Sequence, residues 1–390
     1  MRDRSGDRSA ALPRRTSRRA VLGLVAGSVA WTGSAVAQMR PSEAPVGGRR
    51  PMQGPPPMEG ATAEGPPIID THAHLLGRTE IASDFRDSAD FAIGQMDLLG
   101  IRRTLLLPPP QPPGFARSYD HELLLPAVRA HADRLSFLAG GGSLSPMIVA
   151  ASDAPAISAT LRQEFEATAD RLIAAGAVGF GEITVEHVSY EPNHPYVRAR
   201  PDGPLMLLLA DLAARHNVPI DLHMDAVVRD RPPPENLTSR GPNNPPILRT
   251  NINAFERLLA HNRGARIVWA HAGRDILGDW TVELSRRLLA AHDNLFMSIA
   301  LFPRPPLGAT PQNFPFSVEG TLKPEWMSLL ADFRDRFVIG NDPFYAAPHM
   351  AGLRPPLSAM SRRFVNALPR PLATAIAYEN AVRLYRLPAV

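Results

Sequence analysis

Five residues, Asp70-Thr71-His72-Ala73-His74, follow a short apolar run, Ile68-Ile69. Side chains alternate faces along a β-strand, so His72 and His74, two apart, project to one side with imidazoles close enough to share a cation. Histidines at this spacing also arise on half-buried strands without metal. Four later residues complete the pattern, each ending an apolar run: Glu182 in Gly179-Phe180-Gly181-Glu182-Ile183, His223 in Ile220-Asp221-Leu222-His223, His271 in Val268-Trp269-Ala270-His271, and Asp342 in Val338-Ile339-Gly340-Asn341-Asp342. Singly, each has a plain reading: His223 or His271 as a core histidine, Glu182 as a surface acid, Asp342 as a helix N-cap. Six such residues at matching strand ends predict a metal centre with imidazole and carboxylate ligands. A divalent cation so held keeps a position for water and lowers its pKa from about 15.7 toward about 7.

The elements that must carry these residues are legible as an alternation. Strands are predicted at Ile68 to His74, Arg103 to Leu107, Leu135 to Ala139, Val178 to Ile183, Val218 to His223, Arg266 to His271, Leu295 to Ala300 and Phe337 to Asn341. Helical periodicity falls between them, at Phe85 to Leu99, Thr160 to Ala175, Pro204 to His216, Ile252 to Asn262, Thr281 to His292 and Glu325 to Arg334. Alternation of this kind argues for an α/β fold with parallel pairing, and eight units predict a closed (β/α)8 TIM-type barrel, with an open doubly wound sheet as the other arrangement. No Gly-x-Gly-x-x-Gly turn follows an early strand, so a dinucleotide site is not predicted. The long non-periodic stretches, Pro108 to Tyr119, Glu186 to Gly203, Asp225 to Thr250 and Phe302 to Lys323, each follow a strand. In a barrel they crowd the C-terminal rim, where active sites are built.

Composition narrows the chemistry. There is no cysteine, which excludes disulfides, thiolate ligands and a cysteine nucleophile. The pI of about 9.8 is set by the N-terminus: residues 1–37 carry seven Arg and two Asp, leaving 35 basic and 36 acidic residues in the remainder. Capture of a polyanion is therefore not expected, and no nucleic-acid partner is predicted. Residues 14–37 run from basic residues through Ala20-Val21-Leu22-Gly23-Leu24-Val25-Ala26-Gly27 to Ala35-Val36-Ala37, a secretory pattern too short in its apolar part for a permanent membrane anchor. Thr16-Ser17-Arg18-Arg19-Ala20-Val21-Leu22 looks like a twin-arginine export signal, with cleavage expected between Ala37 and Gln38 and a periplasmic or extracytoplasmic destination. Residues 38–66, rich in Pro, Gly and Met, read as a flexible linker, and 67–390 as the barrel.

The strand-end residues carry a resemblance. The sequence from Ile68 to about Leu387 looks like a member of the amidohydrolase superfamily, in the amidohydrolase-related branch that includes aminocarboxymuconate-semialdehyde decarboxylase-like enzymes; the closing Tyr378-Glu379-Asn380-Ala381-Val382-Arg383-Leu384-Tyr385 belongs to the match. The resemblance implies one metal site at His72, His74 and Asp342. His223 is a further ligand in mononuclear relatives, while His223 and His271 hold a second metal in binuclear ones. The carboxylated lysine of many binuclear relatives is excluded, because Lys323 is the only lysine and lies outside any predicted strand end. Glu182 occupies that place, as in the metal-dependent deoxyribonuclease branch, and a carboxylate can bridge two cations unmodified. One or two divalent ions, zinc foremost, are therefore implied. By the same resemblance Asp342 shuttles the proton, and His271 polarises the substrate carbonyl when a single metal is held.

Arg274, three residues after His271, is a candidate for gripping a substrate carboxylate, with a salt bridge to Asp275 or Asp279 as the plain reading. Asp225, Asn341, Tyr190, His187 and Arg249 are further rim candidates, Asp70 a hydrogen-bond support for a ligand, and Trp269 and Trp280 packing residues. The sequence thus predicts an exported metal-dependent hydrolase acting on an amide, ester or lactone of a small molecule. The alternatives are a nonoxidative decarboxylase of an unsaturated or aromatic acid using the same site, and a binding protein on a barrel whose chemistry has lapsed.

Overall fold

The computed structural model describes residues 64–77, 85–111, 113–114, 119–190, 195–238, 241–301, 313–317, 319–346 and 358–388. The export signal, all but the last three residues of the linker, and most of the Phe302 to Lys323 stretch lie outside the described residues.

Among the described residues eleven strands form one sheet: β1 (Ile68–Leu76), β2 (Ile101–Leu106), β3 (Leu135–Phe137), β4 (Ala139–Gly140), β5 (Phe180–His187), β6 (Val197–Arg198), β7 (Pro219–Met224), β8 (Arg266–Ala272), β9 (Leu295–Ile299), β10 (Phe337–Ile339) and β11 (Phe344–Ala346). Their order is β3-β2-β1-β10-β9-β8-β7-β5-β4, with every neighbouring pair parallel. The two ends of that order, β3 and β4, are separated only by Leu138, so one stretch of chain pairs with β2 on one side and β5 on the other. Predicted as a single strand, it is the seam that brings the sheet back on itself, and the barrel rather than the open sheet is the architecture.

Parallel neighbours require crossovers, and helices supply them. Arg86–Leu99, Ala159–Ala174, Pro204–His216, Ile252–His261, Val282–Ala291 and Pro324–Asp332 fall within one residue of their predicted starts and two of their predicted ends. Local chemistry fixes these limits. Ser158 and Thr281 accept the amide hydrogens of Leu161 and Leu284 at helix starts, Pro204 opens its helix at the first turn, and Asn217 ends it in the left-handed conformation.

The core has two layers. Ala73, Leu75, Phe180, Trp269 and Ile339 are among the strand residues packed against the helices, while Ile69, Leu105, Leu107, Leu138, Val268 and Val338 meet inside the barrel. Ala381, Leu384 and Tyr385 of the C-terminal helix Asn380–Tyr385, with Leu387 beyond it, join the inner layer. Beyond that layer the barrel interior turns polar toward the rim, where the His and carboxylate side chains are themselves buried. There β6 turns back antiparallel along β5, and β11 extends β1 through His74 and Phe344.

Candidate metal centre

Six side chains meet at the rim, all buried: His72 and His74 on β1, Glu182 early in β5, which runs on to His187 rather than ending at Ile183 as predicted, His223 and His271 next to the ends of β7 and β8, and Asp342 three residues beyond β10. Two glycines make the approach possible. A Cβ on Gly340 would lie 2.8 Å from the Ser298 Cβ and 3.1 Å from the His72 Cβ, and one on Gly181 would lie 2.9 Å from the Asp221 Cβ. His271 and Asp342 adopt φ of 73° and 53°, a left-handed conformation that costs non-glycine residues on the order of 1–3 kcal/mol and aims each side chain away from the regular strand direction. Asp70 ties two of these ends together. Its carboxylate accepts the main-chain N–H of His72 at 3.2 Å and of Asn341 at 2.9 Å, and the Asn341 side-chain amide at 2.9 Å. It thus supports the ligand pair through the backbone rather than through an imidazole.

The donor atoms fall into two sets that share Glu182. In the first, His72 Nε2 is 3.2 Å from His74 Nε2 and 3.5 Å from Glu182 Oε2, and His74 Nε2 is 3.4 Å from Glu182 Oε2 and 3.3 Å from Asp342 Oδ1. Ligands at about 2.0–2.2 Å from a tetrahedral ion stand about 3.3–3.6 Å apart, so His72, His74 and Glu182 have the spacing a cation needs, with Asp342 Oδ1 beside them, 3.8 Å from His72 Nε2. In the second, Glu182 Oε1 lies 2.6 Å from His223 Nδ1 and 3.3 Å from His271 Nε2, with the two imidazole nitrogens 3.1 Å apart. This triangle is contracted, held by a hydrogen bond between His223 and Glu182. His223 therefore groups with His271 and not with His72 and His74.

Charge in the cluster is balanced by protons in a way that suits replacement by a cation. Burial opposes charge on His72 and His74, yet Asp221 and Glu182 hold His72 well above its usual value, and Asp342 with Glu182 lifts His74 to about 9. Burial also opposes ionisation of Glu182 and Asp342. It is outweighed by His72 and His223 at the first, and by His271, His74 and Arg274 at the second, so both carboxyls sit well below the ordinary range. His271, by contrast, is pushed down to about 3, chiefly by burial.

No family model and no curated protein matches this chain. Among solved structures it is similar to a probable 2-pyrone-4,6-dicarboxylic acid hydrolase of Acinetobacter baumannii with citric acid bound, at 16% identity over 82% of this chain and 99% of that one, TM-score 0.47. It is also similar to a 2,6-dihydroxybenzoate decarboxylase from Rhizobium, at 16% identity over 82% and 99%, TM-score 0.46. A third is 5-carboxyvanillate decarboxylase of Novosphingobium aromaticivorans complexed with manganese, at 14% identity over 84% and 99%, TM-score 0.43.

Of the rim candidates, Arg274 has a partner the sequence did not suggest: its Nη1 donates to Asp342 Oδ2 at 2.7 Å. His187, Tyr190, Asp225 and Arg274 line a narrow cleft that descends to His223 and His271. Arg249 lies away from it, paired at 2.7 Å with Asp230. Trp269 stacks on Trp280 at 3.7 Å between ring centres and donates to Met224 O, a packing arrangement. Two supports were not picked out in the sequence. Asp221 Oδ1 lies 3.1 Å from His72 Nδ1; its place two before His223 on one strand was an available signal. The Leu107 carbonyl, 2.9 Å from His74 Nδ1, is a backbone group and leaves no trace in residue types.

Proposed function

We propose that this chain is a metal-dependent hydrolase of the amidohydrolase type, in which His72, His74, Glu182 and Asp342 hold one divalent ion, and Glu182, His223 and His271 can hold a second. The observation that carries this reading is the Glu182 carboxylate, which presents one oxygen to each pair of histidines. Zinc is the first choice of ion, because the donors are imidazole and carboxylate and the His72, His74 and Glu182 atoms stand 3.2–3.5 Å apart.

A bound cation supplies acidified water, with a pKa brought toward about 7. The chain's own groups do the rest. Asp342 accepts the proton of the attacking water and delivers it to the leaving group. Arg274, donating to Oδ2, fixes the rotation of that carboxylate and keeps it ionised, which leaves Oδ1 facing His74. His271, neutral at working pH, polarises the substrate carbonyl when only the first set is filled, and becomes a ligand when both are. The Arg274 guanidinium borders the cleft beside Tyr190, and there it is placed to meet a substrate carboxylate.

The same donors would serve a decarboxylase of an unsaturated or aromatic acid, so the decisive experiment measures both outcomes. Protein purified without chelator is analysed for metal and assayed on lactones, esters and amides, with carbon dioxide release followed in parallel on aromatic acids. Metal-dependent hydrolysis is expected. Carbon dioxide release without hydrolysis would move the assignment to the lyase, and an inert metal-loaded protein would leave only a binding role. Export through the twin-arginine route to the periplasm is part of the proposal and is supported by the Arg18-Arg19 pattern alone. Changing both to Lys should retain the chain in the cytoplasmic fraction.

A further inference from the structure

We propose that Asp221 is a positioning residue for this centre: its carboxylate faces the Nδ1–H of His72 as acceptor and keeps the proton on that nitrogen, leaving the Nε2 lone pair of the imidazole bare and aimed at the cation. The inference rests on reading the cluster as a metal centre.

Asp221 is fully buried, 0% exposed, in the middle of β7, two residues before His223. A carboxylate in that position costs several kcal/mol unless it is paired and hydrogen-bonded. The group facing it at contact distance is the His72 imidazole, with Nδ1 3.1 Å from Oδ1. The two atoms are at hydrogen-bonding distance but off line, and neither has another hydrogen-bond partner among the described residues. Nor does Oδ2 of the same carboxylate. A residue present only to fill space here would be better apolar, as Leu138 and Val268 are elsewhere in the barrel interior. Backbone room has been kept for this one: the position beside Glu182 is Gly181, where any Cβ would press on the Asp221 Cβ at 2.9 Å.

The contrast with His74 sharpens the assignment. Its Nδ1 faces the Leu107 carbonyl at 2.9 Å, a neutral acceptor, so the two histidines of one clamp are braced by groups of different charge. A carboxylate behind an imidazole fixes its tautomer and ring orientation and raises its basicity as a ligand; loss of such a partner typically costs 10–100-fold in metal affinity. His72 is thus the ligand whose strength the chain has tuned, and Asp221 is the means.

The test is Zn2+ binding alone, measured by competition with a chromophoric chelator on metal-free full-length protein, for the wild type, Asp221→Asn and Asp221→Ala. Asp221→Asn, of the same shape and still an acceptor, should weaken Zn2+ binding about tenfold, and Asp221→Ala by up to about 100-fold. Binding within twofold of wild type in both variants would overturn the inference while leaving the metal centre intact; a wild type that takes up no Zn2+ would overturn both. Should the variants fail to fold, nitrogen NMR of the imidazoles in Zn2+-loaded wild type decides the matter. A protonated Nδ1 on His72 supports the inference, and an Nε2-protonated ring overturns it.

Discussion

At the scale of single residues, the two clusters of titrating groups make different demands. Replacing His72 by Ala removes a donor that stands 3.2–3.8 Å from three others, and Asp342→Asn keeps the shape of the carboxylate while removing its capacity to accept a proton. Turnover should fall by about 10²–10⁴-fold in the Asn variant with metal content retained, whereas His72→Ala should lose both; measuring metal content beside kcat separates the two. Glu186 lies just beyond the centre on β5, buried, with Tyr196 donating to its Oε1 at 2.8 Å. Burial is the main cause that raises its pKa to about 8, from 4.5 for an ordinary Glu. The folded state therefore holds a proton that the unfolded chain releases between pH 4.5 and 8. Stability from this group is complete below about 4.5 and is lost as pH rises through about 8, a change of a few kcal/mol. Glu186→Gln should flatten that part of a melting-temperature profile; an unchanged slope between pH 5 and 8 would show that Glu186 is ionised in the fold.

Elements decide where those residues meet, and the sequence showed some of this and hid the rest. The eight apolar runs, and the His, Glu and Asp residues that five of them carry, were readable because parallel strands buried on both faces leave unbroken hydrophobic stretches, and because His72 and His74 obey the two-residue period; that β5 runs on past Glu182 to His187 was not. The split of strand three at Leu138, the left-handed turns at His271 and Asp342, and the partner of Arg274 were not, since each is set by contacts between segments far apart in the chain. Glycine at 340 is a further case. Its neighbours Ser298 and His72 leave no space for a methyl group, so Gly340→Ala should cost about 1–3 kcal/mol and displace His72, lowering metal uptake. The control is Gly94, exposed in the helix Arg86–Leu99 with nothing within 4 Å of an added Cβ. There Ala should stabilise by about 0.5–1 kcal/mol and leave metal uptake unchanged. Equal effects of the two substitutions in denaturant melts would refute the steric account.

For the molecule as a whole, the barrel has one end closed by its own C-terminus and the other left polar. Asn380 donates to the carbonyls of Arg334 and Phe337, and Leu384 and Tyr385 enter the inner core beside Ile69 and Val338. This plug makes the centre part of a single buried unit, so the charge state of the rim bears on the stability of the entire fold. Without a cation, Asp221 and Glu182 raise His72 well above its usual value, and His74, lifted to about 9 by Asp342 and Glu182, carries a proton at pH 7.5. A cation needs the Nε2 lone pairs, so uptake of the first ion must expel the proton that His74 carries. The release can be read directly, by adding Zn2+ to metal-free protein in weakly buffered solution with an indicator dye. It should decline above about pH 9, where His74 has already lost its proton. Because binding competes with protonation, affinity should fall as the pH drops from 8 to 6, and the rise in melting temperature produced by a fixed excess of Zn2+ should shrink with it. Uptake of Zn2+ with no proton release at pH 7.5 would mean that the ion sits somewhere other than between these two histidines.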